Sequence, residues 1–262
     1  MTMHLLAENA ALVLGMLTLI WIVSVIRRDA SIIDPFWSIS FLIVTVNSCA
    51  STGWTFKKQV LAAAVAAWAL RLWAHLLWRS RGRPEDPRYA AFRRRYGPKR
   101  YWWVSFFQVF LLQGVLALLI SAPLQIAASA RAPDPLLNVH VAGLLVFAAG
   151  FALETIADAQ LQAFRRDPDR RGRVLDSGLW RYTRHPNYFG EAVLGWGLWL
   201  FAIGQPYAWV SALMPLAMTF LLIKVSGVAM LDAHLAKTKP GYAEYMRRTS
   251  AFVPWPPRRT PT

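Results

Sequence analysis

The run Leu5–Ile26, LLAENAALVLGMLTLIWIVSVI, carries a single charged side chain, Glu8. A hydrocarbon layer takes about 20 apolar residues per helix, and this stretch supplies them. Comparable runs recur at roughly 34–52, 58–78, 104–129, 139–161, 187–204 and 206–231. The chain has 262 residues, 56% of them hydrophobic, with 13 Trp, and a soluble core of that size has no need of so many long uncharged runs. In lipid only helices or closed barrels satisfy every backbone group, and the short alternating segments of a barrel are absent. The pattern predicts an all-α, polytopic integral membrane protein with about seven transmembrane helices. The first run is too long for a cleaved secretory leader and no small-x-small site follows it, so it is expected to be retained.

A net charge of +15 could signal nucleic acid, but its distribution argues for a membrane topology. Of 29 Lys and Arg, nine lie between Arg79 and Arg100, seven between Arg165 and Arg184, and six from Lys237 onward. With seven spans these clusters, joined by Arg27 and Arg28, fall on one side, and only Lys57, Lys58 and Arg131 fall on the other. The positive-inside rule then puts the N-terminus outside and the C-terminus in the cytosol. Lipid is an expected partner and nucleic acid is not. The expected location is a bacterial inner (cytoplasmic) membrane. Cys49 is the only cysteine, which excludes an intramolecular disulfide and any multi-cysteine metal site; no metal is expected. Neither a repeat nor a linker divides the chain, which reads as one domain.

Ionisable side chains inside membrane helices are costly and usually functional. Asp34 opens the second span before Pro35, where it suits a helix start and remains available for a second role. Trp68, Arg71 and His75 share one face of the third span. Glu154 and Asp158 are four apart on the fifth, with Arg165 further along the same stripe. Asn187 and Glu191 repeat that spacing at the start of the sixth, after Arg184, His185 and Pro186. These positions share the cytosolic half of several spans, which predicts a polar cavity open to the cytosol. Two loops, Arg79–Tyr89 and Arg165–Arg173, interleave Arg with carboxylates, Gly and Pro. Lipid headgroups need only positive charge, whereas spaced guanidinium forks suit bidentate phosphate contacts. No phosphate-binding Gly loop follows a strand: Gly195-Trp196-Gly197 lies in an apolar helix.

The run Gly178-Leu179-Trp180, Tyr182, Arg184-His185-Pro186-Asn187-Tyr188 and Gly190-Glu191 resembles the C-terminal domain of the steroid 5-alpha-reductase family. The loop residues Gly82, Glu85-Asp86 and Arg88-Tyr89 are similar to the bacterial branch of that family. So is the ending Lys239-Pro240-Gly241-Tyr242, Tyr245, Arg248-Thr249-Ser250, Phe252 and Pro254. The Arg-His-Pro-x-Tyr piece is shared with sterol C14 reductases and with membrane methyltransferases that modify isoprenylcysteine or phospholipid amines. The resemblance implies a seven-helix, NADPH-dependent reductase of a carbon–carbon double bond conjugated to a carbonyl. The substrate would be an apolar small molecule, a 3-oxo-Δ4 steroid or a lipid-like enone. Residues 1–103 would then be the substrate side with the first basic loop, and 104–262 the cofactor-binding part. Asp158, Arg165 and Arg173 match residues that contact the nucleotide, with Glu154 where the family often has Asn. Asn187 and Glu191 match those at the nicotinamide, His234 and Tyr245 match further cofactor contacts, and Arg83 corresponds to an Arg at the adenosine phosphates. Tyr182, Arg184 and His185 go with the same motif. The carbonyl-polarising Glu and Tyr of the steroid enzymes have no direct counterparts. Trp68 stands at the Tyr position and Asp34 is the early acid available for the Glu role, as a protonated donor to the developing oxyanion.

Two other readings stay open. An S-adenosylmethionine-dependent methyltransferase of the isoprenylcysteine or phospholipid type would leave the dense Arg loops without a phosphate. Such enzymes also show paired Glu near the final helix, where this chain has Leu231-Asp232-Ala233. The other is a non-catalytic lipid- or sterol-binding scaffold.

Overall fold

A computed structural model describes residues 2–131, 134–225 and 227–258. Among the described residues there is no β-strand, only an isolated bridge between Thr183 and Ser250. Among the described residues six helical stretches are long and apolar enough to cross a membrane: Met3–Arg27, Ala30–Thr52, Phe56–Ser80, Pro98–Ile120, Asn138–Arg166 and Ala208–Thr238. The run at 187–204 differs from the expectation. It folds as a helix over Pro186–Trp199 followed by a 3-10 turn, Leu200–Ala202, and Gly204 at φ +91° ends it before the length of a full crossing.

The chain packs as two compact units, Met1–Leu137 with Phe201–Met214, and Asn138–Leu200 with Pro215–Thr262. The first holds α1 (Met3–Arg27), α2 (Phe36–Thr52) and α3 (Phe56–Ser80), two short helices of the basic loop, α4 (Pro87–Tyr96) and α5 (Pro98–Ser105), then α6 (Leu112–Ile120) and α7 (Ala122–Ala128). The buried face of α1 is Leu5, Asn9, Val13, Leu17, Ile20 and Ser24, a stripe at steps of three and four. Val13, Leu17 and Ile20 join Ile33, Val44, Tyr89 and Phe110 in one core. The remaining apolar faces stay outward, as they would toward lipid. Asn9 ties three helices together: its amide donates to Ser48 Oγ (3.1 Å) and Gln125 Oε1 (3.0 Å), and its carbonyl accepts from Asn47 (2.9 Å). Such glue suits a bilayer, where apolar burial alone does not drive helices together.

Lys57 and Lys58, expected as loop charges, are instead buried. Lys57 pairs with Asp134 at 2.5 Å. Lys58 donates to Thr52 Oγ1 (2.6 Å) and Gly53 O (2.7 Å), placing its charge on the carbonyl end of α2, where the helix dipole favours a cation.

The basic loop is also partly structural. Asp86 caps α4 through Arg88 N (3.0 Å), with Pro87 at the first turn. Glu85 accepts two hydrogen bonds from Arg93, each 2.8 Å, and one from Ala30 N at 2.8 Å. Arg93 in turn stacks over the Tyr101 ring at 4.5 Å. Burial pushes the Glu85 carboxyl up, but the Arg93 and Ala30 donors outweigh it and hold the group below its usual range. A carboxyl lowered on folding contributes stability above its unfolded pKa and loses it as pH falls through the folded value. The melting temperature is therefore expected to fall on acidification below about pH 4.5, the ordinary Glu value, and Glu85→Gln is expected to flatten that fall.

The second unit is built on α8 (Asn138–Arg166) and α9 (Pro186–Trp199). Gly143, Phe147, Gly150, Glu154, Ala157 and Asp158 line the buried face of α8. Gly190 and Gly197 meet it from an antiparallel α9, since Gly197 touches Phe147 while Gly190 touches Glu154. A Cβ on Gly197 would lie 2.6 Å from Gly143 O, and one on Gly190 would lie 2.7 Å from Gly150 O. Only glycine allows backbones this close. The chain passes through α10 (Ala208–Ser211) of the first unit; after α11 (Leu213–Phe220), a π-helical turn, Leu221–Val225, leads toward α12 (Val228–Thr238) and α13 (Tyr242–Arg248). The closing segment runs beside the residues before α9: Arg184 N donates to Ser250 O (2.9 Å), Thr183 Oγ1 to Phe252 O (2.8 Å) and Trp255 N to Tyr182 O (2.9 Å).

Candidate functional site

The close α8–α9 approach brings Glu154, Asp158, Asn187 and Glu191 to one end of the helix pair. Asn187 Nδ2 donates to Asp158 Oδ1 at 3.1 Å. Glu154 sits one turn along α8, with its backbone N at the Gly190 contact, and Glu191 is one turn beyond Asn187. Glu154 and Asp158 are buried; Asn187 and Glu191 are half-buried. The Asn187–Asp158 pair puts an amide donor and carboxylate acceptors together at this end of the helix pair.

A second cluster supports this one. Asp232 of α12 accepts from Arg184 Nη2 (3.0 Å) and from Tyr242 Oη (2.6 Å), and its Oδ1 bonds His185 Nε2 (3.0 Å). All four are buried. His185 stacks flat on Tyr188 at 5.5 Å, and Gly227 leaves room for Tyr188 Cε2, which a Cβ there would meet at 3.0 Å. Burial pushes the Tyr242 phenol up and the Asp232 carboxylate beside it adds to the shift. Tyr245 is fixed in the same way, its hydroxyl donating to Trp180 O, and burial raises it too. Trp180 itself donates to Ala157 O on α8 (3.1 Å). Arg184, His185 and Tyr245, expected at the cofactor, are thus turned into internal bonds that set the start of α9. Arg184 Nε is buried with no acceptor, which leaves one donor available to a ligand.

Other expected residues are more open to solvent. Arg165, Arg173 and His234 are exposed. Tyr182 is 44% exposed; its backbone N donates to Leu179 O and its carbonyl accepts from Trp255 N.

In the first unit, Asp34 is held by side chains of α4. Its carboxylate accepts from Tyr89 Oη (2.6 Å) and from Arg88 Nη2 (3.0 Å), and Tyr89 accepts from Gln113 Nε2 (3.1 Å). Asp34 therefore works as an acceptor that ties α2 to α4. Arg88 and Tyr89 reach Asp34 across 54 and 55 residues of sequence, and Gln113 reaches Tyr89 across 24, so no local spacing reveals the network. Burial pushes the Tyr89 phenol well up, and the facing Asp34 adds to it. Trp68 packs edge-on against Phe41 at 5.5 Å and its buried indole N–H has no acceptor. Arg83 is exposed in the turn after Gly82.

A helical membrane protein with a carboxylate cluster on a glycine-packed helix pair is the class these features define. The chain belongs to the DUF1295 family, described as proteins of unknown function, whose profile matches residues 20–249. It is similar to a probable O-methyltransferase, ustE, of Ustilaginoidea virens, with 30% identity over 140 residues. That match spans 53% of this chain and 46% of the relative. No solved structure matches the chain.

Proposed function

We propose that this protein is a membrane-embedded methyltransferase that moves a methyl group from S-adenosylmethionine to an oxygen of an apolar acceptor. The observation that carries the reading is the buried carboxylate set, Glu154 and Asp158 with half-buried Glu191, around Asn187. Carboxylate oxygens on this helix pair suit a ligand bearing an ammonium and a sulfonium. Asn187 and Asp158 together offer a donor and acceptors for ribose hydroxyls. Arg184 Nε, lacking an acceptor, suits the carboxylate of an amino acid. The bound donor supplies an electrophilic methyl; the chain's part is to hold it, orient it and keep water out. The Arg184-His185-Pro186-x-Tyr188 motif shared with membrane methyltransferases supports the reading, as does the name of the fungal relative. Asp232 takes over the anchoring of that motif without a paired Glu.

In this reading α9 with its 3-10 extension is a short seventh crossing. The positive-inside pattern then puts the N-terminus outside and the C-terminus in the cytosol of a bacterial inner membrane. The test is binding of S-adenosylmethionine to solubilised protein. Asp158→Asn and Asn187→Ala are each expected to weaken it about tenfold or more, the scale of one hydrogen bond to a charged group, with little change in melting temperature. Unchanged affinity in both variants would remove the cluster from the donor site.

One feature favours a second reading, an NADPH-dependent reductase: the arginines from Arg165 to Arg173 suit a phosphate-bearing cofactor. Asn187 and Glu191 would then hold the nicotinamide, with Arg165, Arg173, Tyr182 and His234 on the nucleotide.

A further inference from the structure

The basic loop divides its cations between the interior and the surface. Arg88 and Arg93 are engaged by Asp34, Asp86 and Glu85. Arg94, Arg95, Lys99 and Arg100 are exposed, and among the described residues none of the four has an acidic partner. The division follows from the amphipathic pattern of α4. Tyr89, Phe92 and Tyr96 pack into the core at steps of three and four, which turns Arg94 and Arg95 outward. Arg95 Cζ lies 5.7 Å from the centroid of the Tyr96 ring. Gly97, at φ +71°, joins α4 to α5, and the stacking of Arg93 over Tyr101 clamps the two helices together. Lys99 and Arg100 thus follow Arg94 and Arg95 around one tight turn. They lie in the first turn of α5, which has neither an acidic residue there nor a side-chain cap. The positive end of a helix dipole attracts anions, so helix and side chains present the same sign of charge. Depth is set by the chain itself. Pro98 opens the crossing Pro98–Ile120, and Trp102 and Trp103, one turn further in, are exposed. Indoles favour the headgroup level of a bilayer. Their place on the membrane side of the cations selects lipid over a soluble polyanion.

We propose that the outer face of α4 and the first turn of α5 form a docking surface for anionic phospholipid. Arg94, Arg95, Lys99 and Arg100 meet the headgroup phosphates, and Trp102 and Trp103 pack beside the glycerol and the upper chains. Guanidinium forks donate to two phosphate oxygens at once, and several cations together favour a net-negative headgroup over a zwitterionic one. The inference stands independently of the methyl-donor reading, whose residues all lie in the second unit.

The test uses the full chain in a neutral, phosphate-free detergent. Melting temperature is followed against added phosphatidylglycerol, phosphatidylcholine and pyrophosphate, each variant being compared with its own unliganded baseline. Phosphatidylglycerol is expected to raise it saturably, with the other two much weaker, and its effect should decline as sodium chloride screens the exposed charges. The triple variant Arg94→Gln, Lys99→Gln, Arg100→Gln leaves the Arg95–Tyr96 contact and the core untouched. It is expected to weaken the apparent affinity for phosphatidylglycerol about tenfold or more. A control, Lys237→Gln, Arg247→Gln, Arg258→Gln, removes three exposed cations from the C-terminal region and should keep the wild-type affinity. A second readout is the phospholipid retained through purification from mixed phosphatidylglycerol and phosphatidylcholine, counted by mass spectrometry. Wild type and control should be enriched in phosphatidylglycerol and the patch variant should not. The proposal is overturned if phosphatidylcholine stabilises the protein equally, if pyrophosphate alone stabilises it, if the patch variant binds like wild type, or if the control loses as much as the patch variant.

Discussion

Gly150→Val is expected to abolish the folded second unit, and Gly197→Val to do nearly the same. A Cβ at position 150 would sit against Leu194 N and 2.6 Å from Gly190 O. These are backbone atoms of the facing helix and cannot swing aside as a side-chain tip could. The helices must separate, losing contact along the stripe from Gly143 to Asp158 and from Asn187 to Gly197. Overpacking a close contact costs roughly 1–3 kcal/mol for the extra volume alone; parting two helices adds the lost dispersion of every pair between them. Little folded protein should survive solubilisation, as read by size-exclusion and circular dichroism. The Asn187–Asp158 bond goes with the packing, so residual folded protein should lose ligand binding as well. Gly195 provides the control: nothing lies within 4 Å of a Cβ there, and Gly195→Ala is expected to be neutral or stabilising by up to about 1 kcal/mol.

Asp232→Ala is expected to cost about 3–5 kcal/mol, the range for removing one partner of a buried ion pair. The loss would strand Arg184, His185 and Tyr242 together, each buried and each bonded to that one carboxylate. Asp232→Asn keeps an acceptor oxygen and should cost less, and a double variant, Arg184→Met with Asp232→Leu, should recover part of the loss because both ends of the ion pair are replaced by apolar groups. Thermal unfolding in detergent orders the three variants. An Asp232→Ala protein as stable as wild type would mean that the hub does not hold the start of α9.

The membrane class was readable because lipid imposes a length and a composition on each crossing, and Leu5–Ile26 meets both. The first three helices were readable to within a few residues for the same reason, whereas the expected 104–129 run folds as a crossing at Pro98–Ile120. What remained hidden depends on partners distant in sequence. Lys57 and Lys58 read as loop charges because nothing local shows that Asp134 and the end of α2 receive them. The 187–204 run reads as a crossing by hydropathy, yet Gly204 stops it early. The carboxylate cluster was half visible: the i,i+4 pairs Glu154–Asp158 and Asn187–Glu191 appear in the sequence, but their meeting across Gly150 and Gly190 does not. The Arg-His-Pro motif points to a ligand by its chemistry, whereas the fold spends Arg184 and His185 largely on Asp232, a residue the motif does not contain.

The most direct test of the donor site is equilibrium binding of S-adenosylmethionine and of NADPH to the same solubilised preparation, with Asp158→Asn alongside. Saturable binding of S-adenosylmethionine that Asp158→Asn weakens, with NADPH failing to compete, is the result expected of a carboxylate site for a cationic methyl donor. Tight NADPH binding with no detectable S-adenosylmethionine would contradict it and return the site to a reductase.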